Sequence, residues 1–223
     1  MGSNNGDADE RPVHRVSVKA FKIAQSEVTV AQYRACVEAG VCTRPKTGGA
    51  CTWGKNGRDQ HPINCVSWGQ ARTFSRWVGG DLPTEAQWEY AARGGDRYEY
   101  AGSDNPNAVA WYSDNTNRTR EVKTKRPNGY GLYDMSGSVW EWTLDAWHSN
   151  YSGAPRNAER AWANIPSCSG VRCEDDSVRH VNRGGCWANG VKLLRVALRD
   201  RDDADTQTKL VGFRPVISSR RYR

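Results

Sequence analysis

Between residues 29 and 87 the chain writes the same helix start three times: Thr29-Val30-Ala31-Gln32, Ser67-Trp68-Gly69-Gln70 and Thr84-Glu85-Ala86-Gln87. In each, a hydroxyl can accept from the backbone N–H three residues on, while the Gln amide reaches back to the first N–H. The first helix is predicted to run to about Ala39, with Val30, Tyr33 and Val37 on one face and Gly40 as its stop. The second is predicted from Trp68 to about Val78, ending at Gly79-Gly80. The third opens after Pro83 and closes at Gly94-Gly95, with Trp88 and Ala92 on its buried side. Ahead of them, His14 to Ile23 alternates with the period of a half-buried strand. Beyond Gly95 the helical period fades, and short runs such as Val139 to Trp142 and Asn182 to Trp187 stand between Gly, Asn, Asp and Pro. The pattern is that of a loop-rich α+β fold with about three helices and short antiparallel strands. No repeat or low-complexity linker divides the chain, so residues 1–223 read as one domain.

The core must be largely aromatic. Hydrophobic residues make up 37% of the chain, yet ten Trp and nine Tyr supply a large area for burial. No run approaches the roughly 18 apolar residues of a membrane helix, so membrane insertion is not expected. The net charge is +7, but 25 acidic residues are interspersed among 32 basic ones, as in Arg199-Asp200-Arg201-Asp202. Only Arg220, Arg221 and Arg223 cluster, and a nucleic-acid partner is not expected.

Seven cysteines include no C-x-x-C pair, which argues against structural zinc. Disulfides are expected instead: Cys42–Cys51 and Cys168–Cys173 as local loops, and Cys36–Cys65 tying a helix to the segment after it. Cys186 is left over. Oxidised cysteines favour a secreted, periplasmic or surface location, whereas Met1-Gly2-Ser3-Asn4-Asn5 does not read as an apolar signal segment.

From Arg183 to Arg214 an RGG-x-W motif and a GFR motif enclose a stretch with no clean period. Lys192, Asp200, Asp202, Asp203, Thr206, Gln207, Thr208 and Lys209 are not explained as core builders. A polar surface held between glycine and aromatic anchors suits recognition; a solvated loop between two short strands is the plainer alternative. Arg195, Arg199 and Arg214 are expected to form surface ion pairs with local carboxylates, of little energetic weight. Trp140 and Trp142 flank Glu141, so alternation sends one to the core and the other toward the site.

The segments DERPVHRVSVKAFKIAQSEVTVAQY, HPINCVSWGQA, GGDLPTEAQWEYAARGG, RPNGYGLYDMSGSVWEW and the RGGCW…GFR frame occur in one order along nearly the whole chain. Together they resemble the formylglycine-generating enzyme (sulfatase-modifying factor) family. The resemblance implies a compact variant of the C-type lectin fold. In that enzyme two cysteines after RGG bind copper; here their places are held by Asn189 and Leu194, and Cys186 stands where Ser is usual. One thiol cannot make a two-thiolate copper site, so copper and formylglycine-generating activity are not expected. Iron-dependent sulfoxide synthases of the same kinship carry metal histidines on an additional helical domain; His14, His61, His148 and His180 show no ligand spacing. The alternative function is a formylglycine-generating or related metal-dependent oxidase using non-standard residues, with a periplasmic oxidase branch acting on siderophore chromophores among the related kinds.

The resemblance also implies structural calcium in GLYDMSGSVWE, with side-chain oxygens from Asp134 and Glu141 and carbonyls from Gly137 and Val139. Oxygen-only donors suit a hard cation; the alternative is that Asp134 and Glu141 only cap the turn. A second family calcium loop corresponds to WYSDNTNRTREV, residues 111–122, which is too reduced to carry the site over. The RGG-x-W…GFR layout is similar to the variable proteins of diversity-generating retroelements. That likeness implies a ligand-binding display protein, with no catalytic residues assigned. The expected binding residues are Cys186, Trp187, Asn189, Lys192, Leu193, Leu198, Asp200, Asp202, Asp203, Thr206, Thr208 and Leu210. Exposed leucines beside Trp187 would form an apolar anchor, and the expected partner is a protein or other macromolecule.

Overall fold

All three helix-start boxes form in the computed structural model, which describes residues 1–163 and 179–218. They open α1 (Val30–Glu38), α2 (Trp68–Trp77) and α3 (Glu85–Arg93). In the first, Gln32 N donates to Thr29 Oγ1 at 3.3 Å and Thr29 N donates to Gln32 Oε1 at 2.9 Å. The first helix buries Val30, Tyr33 and Cys36, with Val37 packing at the edge of the core. A fourth helix, α4 (Pro106–Val109), is a single turn capped by Asn105. Four residues are too few to show a period, so the sequence did not announce it.

Strands β1 (Phe21–Ile23) and β6 (Val216–Ser218) pair antiparallel. The strand expected over His14–Ile23 is laddered only in this last part. Upstream, His14, Val16 and Val18 are half-buried between exposed neighbours, with one isolated bridge from Ser17 to Asn157. Alternation there records burial on one side; a ladder also needs a run of paired residues, and among the described residues only Ser17 is bridged, to the 156–158 segment.

The main sheet has the order β4-β3-β2-β5, comprising β2 (Trp140–Ala146), β3 (Arg179–Arg183), β4 (Arg199–Asp203) and β5 (Val211–Gly212). Its pairs are antiparallel except the parallel β2–β5 contact. The main core packs Tyr33, Trp68, Phe74, Trp142 and Phe213, with Tyr33 and Phe74 stacked at 5.6 Å. Trp140 and Trp142 both join this core, at 5% and 0% exposure, and do not diverge as expected, because residues two apart on strand β2 lie on one face of the sheet and only Glu141 between them points to the other. Among the described residues no helix is long and apolar enough to cross a membrane.

The cysteines pair differently from the expectation. The bonds are Cys36–Cys42 and Cys51–Cys65, not Cys42–Cys51 and Cys36–Cys65. The chain turns at Gly40 and brings Cys42 back onto the end of α1, where Cys42 N donates to Cys36 O. The expected Cys168–Cys173 bond lies outside the described residues.

Candidate functional site

The terminal tract hangs on arginines. Arg183 ends β3 fully buried, and its guanidinium donates to the carbonyls of Val196, Ala197 and Leu198 and to the Glu89 carboxylate. Burial pushes Glu89 up, but the Arg183 and Arg93 guanidiniums outweigh it and hold the carboxyl below its ordinary value. Arg199 forms a two-point pair with Glu85 at 2.7 and 3.1 Å, and Arg195 pairs with Glu10. Arg214 pairs with Glu141. These bonds replace the expected surface pairs with local carboxylates. Their partners lie far away in sequence, and the Arg183, Arg199 and Arg214 side chains are fully buried. Glu85 and Glu89, four residues apart on α3, share one helix face toward the sheet, a spacing visible in LPTEAQWEY.

The glycines of RGG answer to space. Gly185 has φ +76°, and a Cβ there would stand 2.6 Å from the Leu193 carbonyl oxygen. The chain can therefore fold the 191–194 turn against the end of β3.

Between these anchors the expected binding residues separate. Lys192, Leu193, Asp200 and Asp203 are exposed; Asn189, Asp202, Thr206, Gln207, Thr208 and Leu210 are half-buried. Asp203 pairs with Arg179 at 3.0 Å, and Asp202 accepts from Asn182 Nδ2 at 2.8 Å. Burial, with Asp200 close by, pushes the Asp202 carboxyl up to about 6. Trp187 is 8% exposed, donates through Nε1 to Lys209 O, and lies under the Lys209 ammonium. Leu198 and Cys186 are buried in the main core, at 4% and 0% exposure, and cannot face a ligand. Of the three leucines expected outside, Leu193 is exposed and Leu210 packs partly against the core. Sequence spacing could not tell these apart, because the tract changes from turn to strand between Leu194 and Arg199.

Asn189 and Leu194, expected from the resemblance to stand in place of copper cysteines, have other tasks. Asn189 closes a turn, its Oδ1 accepting from Cys186 N at 2.9 Å and its carbonyl accepting from Ser113 N. Leu194 is fully buried beside Tyr100 and Tyr112. Burial pushes the Cys186 thiol up to about 11, which suppresses the reactive thiolate. The four histidines lie apart: His61 contacts Thr119, His180 stacks on Trp68, His148 on Trp162, and His14 meets Tyr151.

The GLYDMSGSVWE segment makes a tight loop in which Asp134, Gly137 and Ser138 all have positive φ. A Cβ on Gly137 would stand 2.4 Å from the Trp111 carbonyl oxygen. Asp134 is buried, accepts from Lys123 N at 2.7 Å, and is pushed up to about 6 by that burial. Both Glu141 oxygens are engaged, one by Arg214 and the other by Arg214 and Trp88 Nε1. Sequence reading missed Glu27, a fully buried carboxylate beside them. Its Oε1 accepts from Val139 N, while Oε2 has no hydrogen-bond partner. Burial, then the neighbouring Asp134 and Glu141 charges, push Glu27 well above the usual carboxylate range. The EVT string just ahead of the first helix was the only sign of it.

Comparison with known proteins agrees with this geometry. The formylglycine-generating enzyme of Streptomyces coelicolor is 30% identical over 92% of this chain and 80% of its own. The structure of PvdO from Pseudomonas aeruginosa superimposes with a TM-score of 0.80 at 26% identity, covering 97% of this chain and 89% of that one. Treponema denticola variable protein 1 superimposes with a TM-score of 0.75 at 25% identity, covering 97% and 90%. The sequence model of the sulfatase-modifying factor enzyme 1-like domain matches residues 1–219, and the chain belongs to that family, on the α+β, C-type lectin-like scaffold its motifs announced.

Proposed function

We propose that this chain is a non-catalytic ligand-binding protein that presents its terminal tract to a protein or other macromolecular partner. The observation that carries this reading is the division of labour within the tract. Asn189 and Leu194 serve a turn and a core where the enzyme has copper thiolates, while Lys192, Leu193, Asp200 and Asp203 stand outside on a frame of buried ion pairs. A rigid frame lowers the ordering cost of binding and tolerates change in the side chains it carries. The likeness to Treponema denticola variable protein 1 supports a display role of the kind found in diversity-generating retroelements. Sequencing the gene across isolates tests it: differences concentrated between Ala188 and Leu210 at adenine-containing codons support display, and an invariant tract counts against it.

The 30% identity with a formylglycine-generating enzyme supports the alternative, a metal-dependent oxidase using other residues. Copper(I) titration combined with oxygen uptake on a cysteine-containing peptide decides that case.

The scaffold reading includes calcium at the Asp134 loop. Three buried carboxylates, Glu27, Asp134 and Glu141, face one guanidinium, Arg214, and Glu27 retains an unpartnered oxygen. A hard divalent cation supplies the missing positive charge. In this reading Asp134, the carbonyls of Gly137 and Val139, and Glu27 hold the ion. Glu141 adds charge to the cluster while its oxygens hold Arg214 and Trp88.

A further inference from the structure

A concavity of about 300 Å³ lies between the 58–61 turn and the 111–124 segment, lined by Arg58, His61, Trp111, Arg118, Arg120 and Glu121 among others. Three guanidiniums gather there around one imidazole. His61 is 6% exposed, and burial, followed by the charges of Arg58, Arg118 and Arg120, brings its pKa down to about 4. The ring is therefore neutral near pH 7 and adds no positive charge. It meets Arg58 Nη1 at 3.0 Å and the Thr119 hydroxyl at 3.0 Å.

What separates these arginines from those that hold the terminal tract is the lack of a counter-charge inside a shared cavity. Arg183, Arg195, Arg199 and Arg214 each hold a carboxylate. Among the described residues, Arg58, Arg118 and Arg120 form no ion pair, and neither does Glu121, the one carboxylate on the lining. Arg120 gives its Nε to Thr116 Oγ1, leaving its terminal nitrogens without a hydrogen-bond partner. The Arg120 guanidinium also lies over the Trp111 ring at 5.2 Å; Lys125, its Nζ 4.0 Å from the centre of the same ring, stands outside the lining and donates to Asn107 O.

Like charges drawn into one small cavity repel unless an external anion joins them, and the guanidinium fork matches an oxyanion with paired N–H bonds. We propose that this cavity binds a tetrahedral oxyanion, phosphate or sulfate, either free or as the ester group of a larger ligand. At about 300 Å³ it admits such a group with space left for part of the molecule that carries it.

The test follows the imidazole resonances by NMR at low ionic strength, with the whole chain titrated by inorganic phosphate, inorganic sulfate, phosphoserine and a monosaccharide sulfate. Sodium chloride at matched ionic strength is the control. His61 alone among the four histidines lines the cavity. The expected result is a saturable shift of the His61 ring signals that chloride does not reproduce. Affinity should fall at least about tenfold in Arg118→Ala/Arg120→Ala, as befits loss of two charge-assisted contacts. Arg97→Ala, an exposed arginine elsewhere, should bind as wild type. Signals of His14, His148 and His180 report that each variant is folded. Tighter binding of an ester than of the matching inorganic ion assigns the site to a larger ligand, and the reverse order assigns it to the free ion. A His61 signal that stays still, that follows chloride equally, or that saturates unchanged in the double variant overturns the proposal.

Discussion

Arg214 lies bidentate across Glu141, with its Nε and one terminal nitrogen each 2.7 Å from a carboxylate oxygen and both side chains buried. The pair joins the end of the GFR motif to the centre of VWEW, so the last segment of the frame is fixed to strand β2 by charge as well as by the ladder. Replacing Arg214 with Ala leaves Glu141 buried without its cation. The expected loss is about 3–5 kcal/mol, read from urea unfolding. A variant that unfolds like wild type would show that the pair does not hold the frame.

The tract should divide by exposure, not by residue type. Lys192→Ala, Leu193→Ala and Asp200→Ala are expected to change stability by no more than about 0.5 kcal/mol each. Leu198→Ala, in the core, should cost about 2–5 kcal/mol. Chemical denaturation of the four variants checks the division; comparable losses at Leu193 and Leu198 would contradict it.

Peptide mapping under non-reducing conditions should recover Cys36–Cys42 and Cys51–Cys65. Removing the second pair by Cys51→Ala/Cys65→Ala opens a loop with a sequence separation of 14. A loop of that length contributes about 3 kcal/mol through the unfolded chain. Cys186 should resist alkylation in the native protein and react after denaturation, as expected of a buried thiol pushed up to about 11. Rapid native labelling of Cys186 would place it at the surface.

Calcium is expected to raise the unfolding temperature, and chelation to lower it. Asp134→Ala should abolish the response, and Glu27→Gln should weaken calcium binding by removing one of the charges that draw the ion. Thermal unfolding with and without calcium reads the first, and isothermal titration with calcium chloride reads the affinity of each variant. Equal calcium affinity in wild type and Asp134→Ala would place any calcium elsewhere.

His180 stacks on Trp68 with ring centres 3.9 Å apart, and burial pushes its imidazole down to about 4 from the ordinary 6.5. The folded value lies below the unfolded one, so the unfolded chain takes up a proton first. The stability present above the ordinary value is lost as pH falls from 6.5 toward 4. Asp145, pushed by burial up to about 7, works in the opposite direction and masks this in the total. A comparison with His180→Phe, which keeps a ring on Trp68, isolates the His180 contribution. The wild-type stability should fall relative to the variant by about 1.4 kcal/mol per pH unit across that window. Parallel pH profiles, or a ring titration near the ordinary value, would contradict the assignment.

The three helix-start boxes, their glycine stops and the RGG…GFR frame were legible in the sequence because each is decided within a few residues. Gln32 reaches Thr29, Gln70 reaches Ser67, and Gln87 reaches Thr84 whatever the remainder of the chain does. That Asn189 and Leu194, and no cysteine pair, follow the RGG motif was likewise a matter of sequence. Tertiary structure decided the partners: Cys36 with Cys42, Arg199 with Glu85, Arg214 with Glu141, and the unsatisfied Glu27 beside Asp134. It also decided that Leu198 turns inward while Leu193 faces out. A cap is satisfied by its own neighbours, but a buried charge is satisfied only by what the folded chain brings to it. Composition and spacing carry no record of which distant segment that will be.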